Sequence, residues 1–274
     1  MRRIRALLWL CGLLLGCSAQ GKLDRAVRWE DRGLYPRALE VYEGFAGGRP
    51  GHPRTPEALY RAARIYQKRL QRYEEARDLF ERVARGYPQT PWAKFSREAL
   101  MDCPDYFPLE PGGRWIYGDS QSGGNNMRAE YAVEAATSAA GVRMIQKIYA
   151  GKRFFQTLER RYLKSEGELR EFLSPEDYTV ILKYPFIKGH SWSSLRGGTR
   201  LAYSIEEDRA AVRVRAGEFL HCVKVREQPE GASPSWKYDY YAPGVGRILT
   251  TVAGKGFENP NTELISYQTQ EGRP

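Results

Sequence analysis

Residues 35–50 read YPRALEVYEGFAGGRP and residues 73–88 read YEEARDLFERVARGYP, so one pattern occurs twice, 38 residues apart. A period of about 20 to 50 residues is typical of stacked helical repeats. In each copy a small residue precedes an aromatic residue by four positions, which places both on one helix face. The small residue lets two helices approach, and the aromatic ring fills the space beside it. The repeat-defining residues are Tyr35, Ala38, Tyr42 and Pro50, then Tyr73, Ala76, Phe80 and Pro88.

A Thr-Pro pair also recurs, and it predicts where helices begin. PRTPEALY at residues 53–60 returns 35 residues later as PQTPWAKF at residues 88–95. Thr55 and Thr90 are predicted N-caps. Pro56 and Pro91 would then occupy the first helical position, where the missing N–H costs no hydrogen bond.

Glycines predict where the second helix of each pair ends. Gly47-Gly48 follows the first copy of the repeat, and Gly86 lies at the end of the second. Together these signals predict two helical hairpins and a closing helix over residues 22–103, or about two and a half repeats.

This spacing resembles the tetratricopeptide repeat, in which an aromatic residue and a proline follow a small residue at fixed distances. The stretch from Tyr87 to Ala93 is similar in particular to envelope lipoproteins of the BamD kind and to the periplasmic coordinator of the Tol system. The resemblance covers roughly residues 22–100 and implies binding of envelope proteins through the repeats. So short a stack is near the minimum of about three repeats that buries its own core, which favours docking on a neighbour. A plain helical bundle without a partner is the alternative.

The first sixteen residues have the layout of an export signal. Three arginines and no acidic residue accompany an apolar run from Ala6 to Leu15, which is shorter than the roughly 20 residues that span a bilayer. The run ends in LLGC, which resembles the bacterial lipobox, so Cys17 is the predicted lipidation site. Ser18 follows rather than aspartate, which by the same resemblance implies the outer membrane, facing the periplasm. An ordinary export signal with Cys17 as a free thiol is the alternative.

Residues 104–113, PDYFPLEPGG, predict a linker, because prolines and two closing glycines cannot continue a helix. Short segments of alternating polarity follow, as in an antiparallel sheet with one solvated face. A sheet or partial barrel is the simplest arrangement for so many segments. The predicted strands are 114–118, 128–136, 142–149, 153–164, 168–173, 178–182, 199–206, 211–215, 219–226, 236–242, 245–253 and 262–268.

The remaining cysteines suggest a disulfide and argue against a metal site. Cys11 would leave with the export signal, so Cys103 and Cys222 remain in an oxidising compartment, where they could pair. No two of His52, His190 and His221 have the spacing of metal ligands on one helix or strand, so neither a metal nor another cofactor is expected.

The sequence offers no motif for catalysis. GHSWS at residues 189–193 lacks the second glycine and the following helix of a nucleophile elbow, so Ser191 is expected in a tight turn. Glu206, Glu207 and Asp208 fall in a predicted turn and read as a solvated face rather than as an acid and base pair. Glycine pairs at residues 123–124 and 197–198 predict hairpin turns, not phosphate loops.

Composition excludes a nucleic-acid groove. Without residues 1–16 the chain holds 40 basic against 33 acidic residues, a net charge of +7, and both signs are interleaved along its length. Weak contact with anionic lipid or cell-wall material remains compatible with this charge.

The predicted protein is therefore of the α+β class, with helical repeats followed by an antiparallel sheet or partial barrel. Its predicted segments are residues 1–16 (removed signal), 17–21 (lipidated tether), 22–103 (repeats), 104–113 (linker), 114–270 (β domain) and 271–274 (tail). The predicted function is that of a non-catalytic lipoprotein, anchored in the outer membrane, that serves as an interaction scaffold in envelope assembly or maintenance. The alternative is a carrier or sensor that holds a lipid or other hydrophobic ligand in its β domain.

Overall fold

The computed structural model describes residues 20–138, 141–174, 176–231 and 234–269. The chain divides into two compact units, with the boundary between Cys103 and Pro104. The predicted signal, the lipidation site Cys17 and the tail at 271–274 lie outside the described residues. Within those residues, no helix is both long and apolar enough to cross a membrane.

Residues 20–103 of the first unit form five α-helices, which confirms the predicted helical repeats. Two hairpins, α1 with α2 and α3 with α4, are followed by the closing helix α5. A π-helical turn, Tyr66–Leu70, extends α3. The helices are α1 (residues 20–31), α2 (Tyr35–Gly48), α3 (Thr55–Ile65), α4 (Tyr73–Gly86) and α5 (Pro91–Ala99).

The helix ends agree with the glycine signals and with one of the two predicted threonine N-caps. α2 and α4 end on the expected glycines. Thr55 is already helical, and its hydroxyl donates to the carbonyl of Arg49 at 2.5 Å. Thr90 holds the N-cap position of α5, yet its hydroxyl donates to the carbonyl of Tyr87. Thr90 is therefore the N-cap as predicted, whereas the prediction for Thr55 was wrong by one position, and both hydroxyls bond to the preceding turn rather than to a helical N–H.

The described residues of the second unit form one antiparallel sheet of twelve strands. Its order is β6-β5-β4-β3-β2-β1-β12-β11-β10-β9-β8-β7, so the first and last strands pair at its centre. The strands are β1 (Arg114–Asp119), β2 (Met127–Ser138), β3 (Gly141–Ala150), β4 (Arg153–Ser165), β5 (Glu168–Phe172), β6 (Tyr178–Lys183), β7 (Ser191–Arg196), β8 (Thr199–Val214), β9 (Gly217–Pro229), β10 (Ser235–Ala242), β11 (Gly246–Gly254) and β12 (Phe257–Gln268).

The two edge strands β6 and β7 meet through side chains, and this seam nearly closes the sheet into a barrel. The hydroxyl of Thr179 donates to the carbonyl of Leu195 at 2.9 Å. The amide of Val180 donates to the hydroxyl of Ser194 at 2.8 Å, and its carbonyl accepts from Trp192 Nε1 at 2.9 Å. The predicted sheet or partial barrel is thereby confirmed, in its more closed form.

Two local strand predictions were wrong. Ser191 lies on β7, which is a strand rather than a tight turn. Glu206, Glu207 and Asp208 lie within β8, which runs unbroken where two strands and a turn were predicted. Irregularities in the pairing with β9 occur between Ile205 and Val212, and such bulges absorb the extra residues without ending the strand.

Residues 104–113 pack against the strands instead of spanning open solvent. The carboxylate of Asp105 lies 2.7 Å from Lys164 Nζ. The Tyr106 hydroxyl donates to the carbonyl of His221 at 3.0 Å, and the Phe107 ring lies 5.0 Å from that of Tyr162. This segment, predicted as a linker, is thus part of the second unit.

Candidate functional site: a charged cavity in the β unit

The β unit encloses a cavity of about 280 Å³. Its wall combines aromatic rings with charged side chains. The aromatic members are Phe107, Trp115, Tyr117, Tyr131, Tyr162 and Tyr241. The charged members are Arg160, Glu171, Arg196, Glu227, Lys237, Asp239 and Arg247.

Strand periodicity explains how these side chains reach the interior. Alternate residues of a strand point to the same face of a sheet. Arg160 and Tyr162 are two residues apart on β4, and Lys237, Asp239 and Tyr241 follow the same spacing on β10. Both strands therefore direct charged as well as aromatic side chains into the cavity.

The seven charged side chains form one sequence of alternating sign, which we call the ion-pair chain. Cations stand at both ends, so four positive charges face three negative ones. The nitrogen–oxygen distances along it are 3.7 Å (Arg160–Glu171), 3.7 Å (Glu171–Arg196), 2.9 Å (Arg196–Glu227), 3.2 Å (Glu227–Lys237), 3.0 Å (Lys237–Asp239) and 3.8 Å (Asp239–Arg247).

Hydrogen bonds hold the aromatic wall in place. Trp115 Nε1 donates to the carbonyl of Val245 at 2.6 Å, and the Tyr117 hydroxyl donates to the carbonyl of Arg247 at 2.7 Å. The Tyr162 hydroxyl donates to Glu171 at 2.9 Å. The wall is therefore arranged before any ligand arrives.

The ion pairs keep the buried groups charged. Burial alone would raise the pKa of Asp239, but the charges of Lys237 and Arg247 outweigh it and lower the pKa. Burial likewise acts to lower the pKa of Lys237, and Asp239 and Glu227 outweigh it, so that pKa is raised. Burial, with the charge of Glu171 added, raises the pKa of Tyr162 well above its ordinary value. At neutral pH the cavity holds ionised Lys237 and Asp239 beside a neutral Tyr162.

Some polar atoms of the wall have no protein partner among the described residues. Gln146 is 8% exposed, yet its Oε1 accepts no hydrogen bond. Arg196 Nε is also buried without an acceptor. The terminal Arg160 and Arg247 reach their acids only at 3.7 and 3.8 Å, beyond ordinary hydrogen-bond length.

The sequence did not reveal this cavity. Its charged residues come from six strands and lie up to 87 positions apart, from Arg160 to Arg247, so only sheet closure brings them together. On β10, Lys237 and Asp239 alternate with aromatic residues, a pattern that predicts a solvated charged face, whereas this face lines the cavity.

The repeat-defining residues occupy distinct positions in the helical unit. Ala38, Tyr42, Ala76 and Phe80 are fully buried. The Tyr42 hydroxyl donates to Glu30 at 2.7 Å. The other four members lie nearer the surface: Tyr35 and Tyr73 are half-buried, whereas Pro50 and Pro88 are exposed.

The two cysteines that were considered as a pair, Cys103 and Cys222, are each free and buried within their own unit. Each sulfur contacts a carbonyl of its own unit: that of Tyr73 at 3.6 Å for Cys103, and that of Phe219 at 3.5 Å for Cys222. Burial raises the pKa of both thiols to about 12, so they are protonated at neutral pH.

The structure also places the residues that were considered for catalysis or metal binding. Ser191 is exposed on β7, and no group of three acidic, histidine or cysteine side chains within the described residues could hold a metal.

Comparison with known proteins identifies the repeat. Residues 57–90 match the family model of the tetratricopeptide repeat. No curated protein matches the chain. A solved structure from Bacteroides fragilis NCTC 9343, described as an exported protein with a YmcC-like fold, shares 15% identity over 60% of this chain and 98% of its own, with a TM-score of 0.42. A structure from Parabacteroides distasonis ATCC 8503, described as a lipoprotein, has the same identity and coverage and a TM-score of 0.40.

Proposed function

We propose that this chain is a non-catalytic lipoprotein of the cell envelope whose helical repeats bind another envelope protein. Lipid on Cys17 anchors it in the outer membrane, facing the periplasm, and its role is that of a scaffold in envelope assembly or maintenance. The matched repeat at residues 57–90 carries this proposal, since stacked repeats of this class generally bind proteins.

An aromatic cluster of Tyr60, Trp92 and Phe95 marks the surface for a partner. The ring of Tyr60 lies 5.2 Å from that of Trp92 and 6.1 Å from that of Phe95. Phe95 is 43% exposed, although it belongs to the closing helix α5. Aromatic side chains of this kind contribute most of the binding energy in many protein interfaces.

Fractionation of the host's membranes tests the anchor. The wild-type chain should gain the mass of lipid and sediment with outer membranes, whereas Cys17→Ala should show neither. A soluble wild-type protein without added mass would refute the lipid anchor. It would not bear on the proposed partner surface of the repeats, which has its own test.

Site-specific photocrosslinking tests the partner surface. A photoreactive residue at Phe95 should give one dominant adduct in the envelope, and the same residue at Leu34, which is 39% exposed, serves as the control.

The purified partner should bind the Phe95→Ala variant about tenfold more weakly, the loss expected for an aromatic anchor. Equal adducts at both positions, or unchanged affinity, would contradict this surface.

The cavity does not favour the alternative carrier of a hydrophobic ligand. Its volume would admit a small ligand, but an apolar molecule would strip water from seven charged side chains without replacing their hydrogen bonds.

A further inference from the structure

We propose that the cavity of the β unit binds a small anion rich in hydroxyl groups, a hydroxylated carboxylate or phosphate. This inference is independent of the proposed function, because every residue that carries it lies in the second unit.

The volume of the cavity limits the size of the ligand. Pockets for drug-sized ligands occupy roughly 300–1,000 Å³, so a cavity of about 280 Å³ takes a compact molecule. An acyl chain suits this cavity poorly, since it would remove water from Arg160 and Arg247, whose ion pairs are 3.7 and 3.8 Å long, and would offer them no hydrogen bond in return.

The ends of the ion-pair chain favour a negative charge. Each inner member has an oppositely charged neighbour on both sides, whereas Arg160 and Arg247 have one each. Their long contacts leave guanidinium N–H groups without close acceptors, and a planar guanidinium pairs well with carboxylate or phosphate oxygens.

Both terminal arginines line the cavity, and so does Tyr162. Glu171, the partner of Arg160, accepts a hydrogen bond from Tyr162. An anion bound in the cavity is therefore attracted by two cations that lack a second acidic partner.

Gln146 indicates which groups the ligand carries besides its negative charge. Its Oε1 is buried in the wall and requires a hydrogen-bond donor that the described protein atoms do not supply. A hydroxyl group provides such a donor, and it can also donate to the carboxylates of the ion-pair chain. The fixed aromatic rings beside these groups suit the flat faces of a hydroxylated ring.

Calorimetric titration of the purified full chain tests this chemistry with four probes. Glucuronate and glucose 6-phosphate combine hydroxyl groups with a carboxylate or a phosphate, and tight binding of one over the other identifies the anion. Glucose lacks the charge and laurate lacks the hydroxyls, so both should bind at least about tenfold more weakly. Equal binding of glucose or laurate, or no binding of either hydroxylated anion, would overturn the proposal.

Three variants locate the site. Arg247→Gln should weaken binding of the preferred anion at least about tenfold, whereas Arg213→Gln, which changes an exposed arginine of β8, should not. Gln146→Leu should also weaken binding while leaving the thermal midpoint unchanged or higher, because its Oε1 has no protein partner to lose. If Gln146→Leu lowers the midpoint and leaves affinity unchanged, Gln146 is structural and the assigned contact is wrong.

Discussion

At the scale of single residues, Asp239 shows what the interior of the β unit demands. Its side chain is only 8% exposed, and it contacts Lys237 at 3.0 Å and the hydroxyl of Thr250 at 2.5 Å. A buried ion pair adds little net stability, yet the loss of one partner leaves the other charge uncompensated. The interior of the β unit therefore tolerates the charges of the ion-pair chain only while each of them keeps its partner.

Replacement of Asp239 by asparagine should therefore be costly. We expect Asp239→Asn to lower the free energy of unfolding by about 3–5 kcal/mol at pH 7, measured by urea denaturation. Glu218→Gln, which removes an exposed partner of Arg213, should change it by less than about 0.5 kcal/mol.

The pH dependence of that difference follows from the lowered pKa of Asp239. A carboxyl whose pKa is lower in the folded state stabilises the fold above its ordinary pKa, and this contribution disappears as the pH falls. The difference between the wild-type and variant proteins should therefore begin to shrink as the pH falls below about 4, and it should vanish only below the folded-state pKa of Asp239. A constant difference down to pH 3 would mean that the charge of Asp239 is not the cause.

At the scale of elements, the helical core depends on the rings that recur in the repeat. Phe80 is fully buried on α4, and its ring lies 5.6 Å from that of Tyr60 on α3. Beside it, Ala46, Leu59 and Val83 form a cluster of buried residues.

Truncation of this ring should weaken the helical unit. Phe80→Ala should cost about 3–5 kcal/mol through lost contacts and an unfilled cavity, measured from the helical circular dichroism signal in urea. Leu70→Ala provides the control, because Leu70 is 40% exposed and should change stability by less than about 0.5 kcal/mol. Equal effects would show that the repeat pattern does not mark the core.

The elements that could be predicted from the sequence are those whose signals are local. Small residues, aromatic residues and glycines at regular spacing located the helices, and alternating polarity located most strands. β7 was missed because SWSSLR has serines where a strand usually has β-branched residues. β8 was divided because Glu206, Glu207 and Asp208 read as a turn, whereas pairing with β9 keeps them in the strand.

At the scale of the whole molecule, the α+β class was predictable and the cavity was not. The class follows from the change of periodicity after residue 103. The cavity depends on contacts across the closed sheet, such as that between Glu171 on β5 and Arg196 on β7, which no local pattern encodes.

Carboxylates in both units make the protein sensitive to acid. Burial alone would raise the pKa of four of them, but hydrogen bonds and charges of neighbouring groups outweigh it; these are Glu57, Glu168, Asp239 and Glu258. In two others side-chain hydrogen bonds contribute most: the bond from Ser122 helps to lower the pKa of Asp119 to about 2, and the bond from Arg72 lowers the pKa of Glu75.

The urea midpoint should therefore stay level between about pH 6 and 8 and fall as the pH drops below about 4.5. The sign follows because each folded-state pKa lies below the unfolded one, so protonation favours the unfolded chain. Midpoints measured at intervals from pH 8 to 3 check this expectation, and a level curve down to pH 3 would contradict it.

The seam between β6 and β7 has a consequence for aggregation. An edge strand with unpaired backbone groups can pair with the edge of another chain. Here the side chains of Thr179, Ser194 and Trp192 form hydrogen bonds with backbone groups of the facing edge strand. Because the two edges cover each other, neither offers a long free template to a neighbouring molecule, and the protein is protected from edge-to-edge association at high concentration.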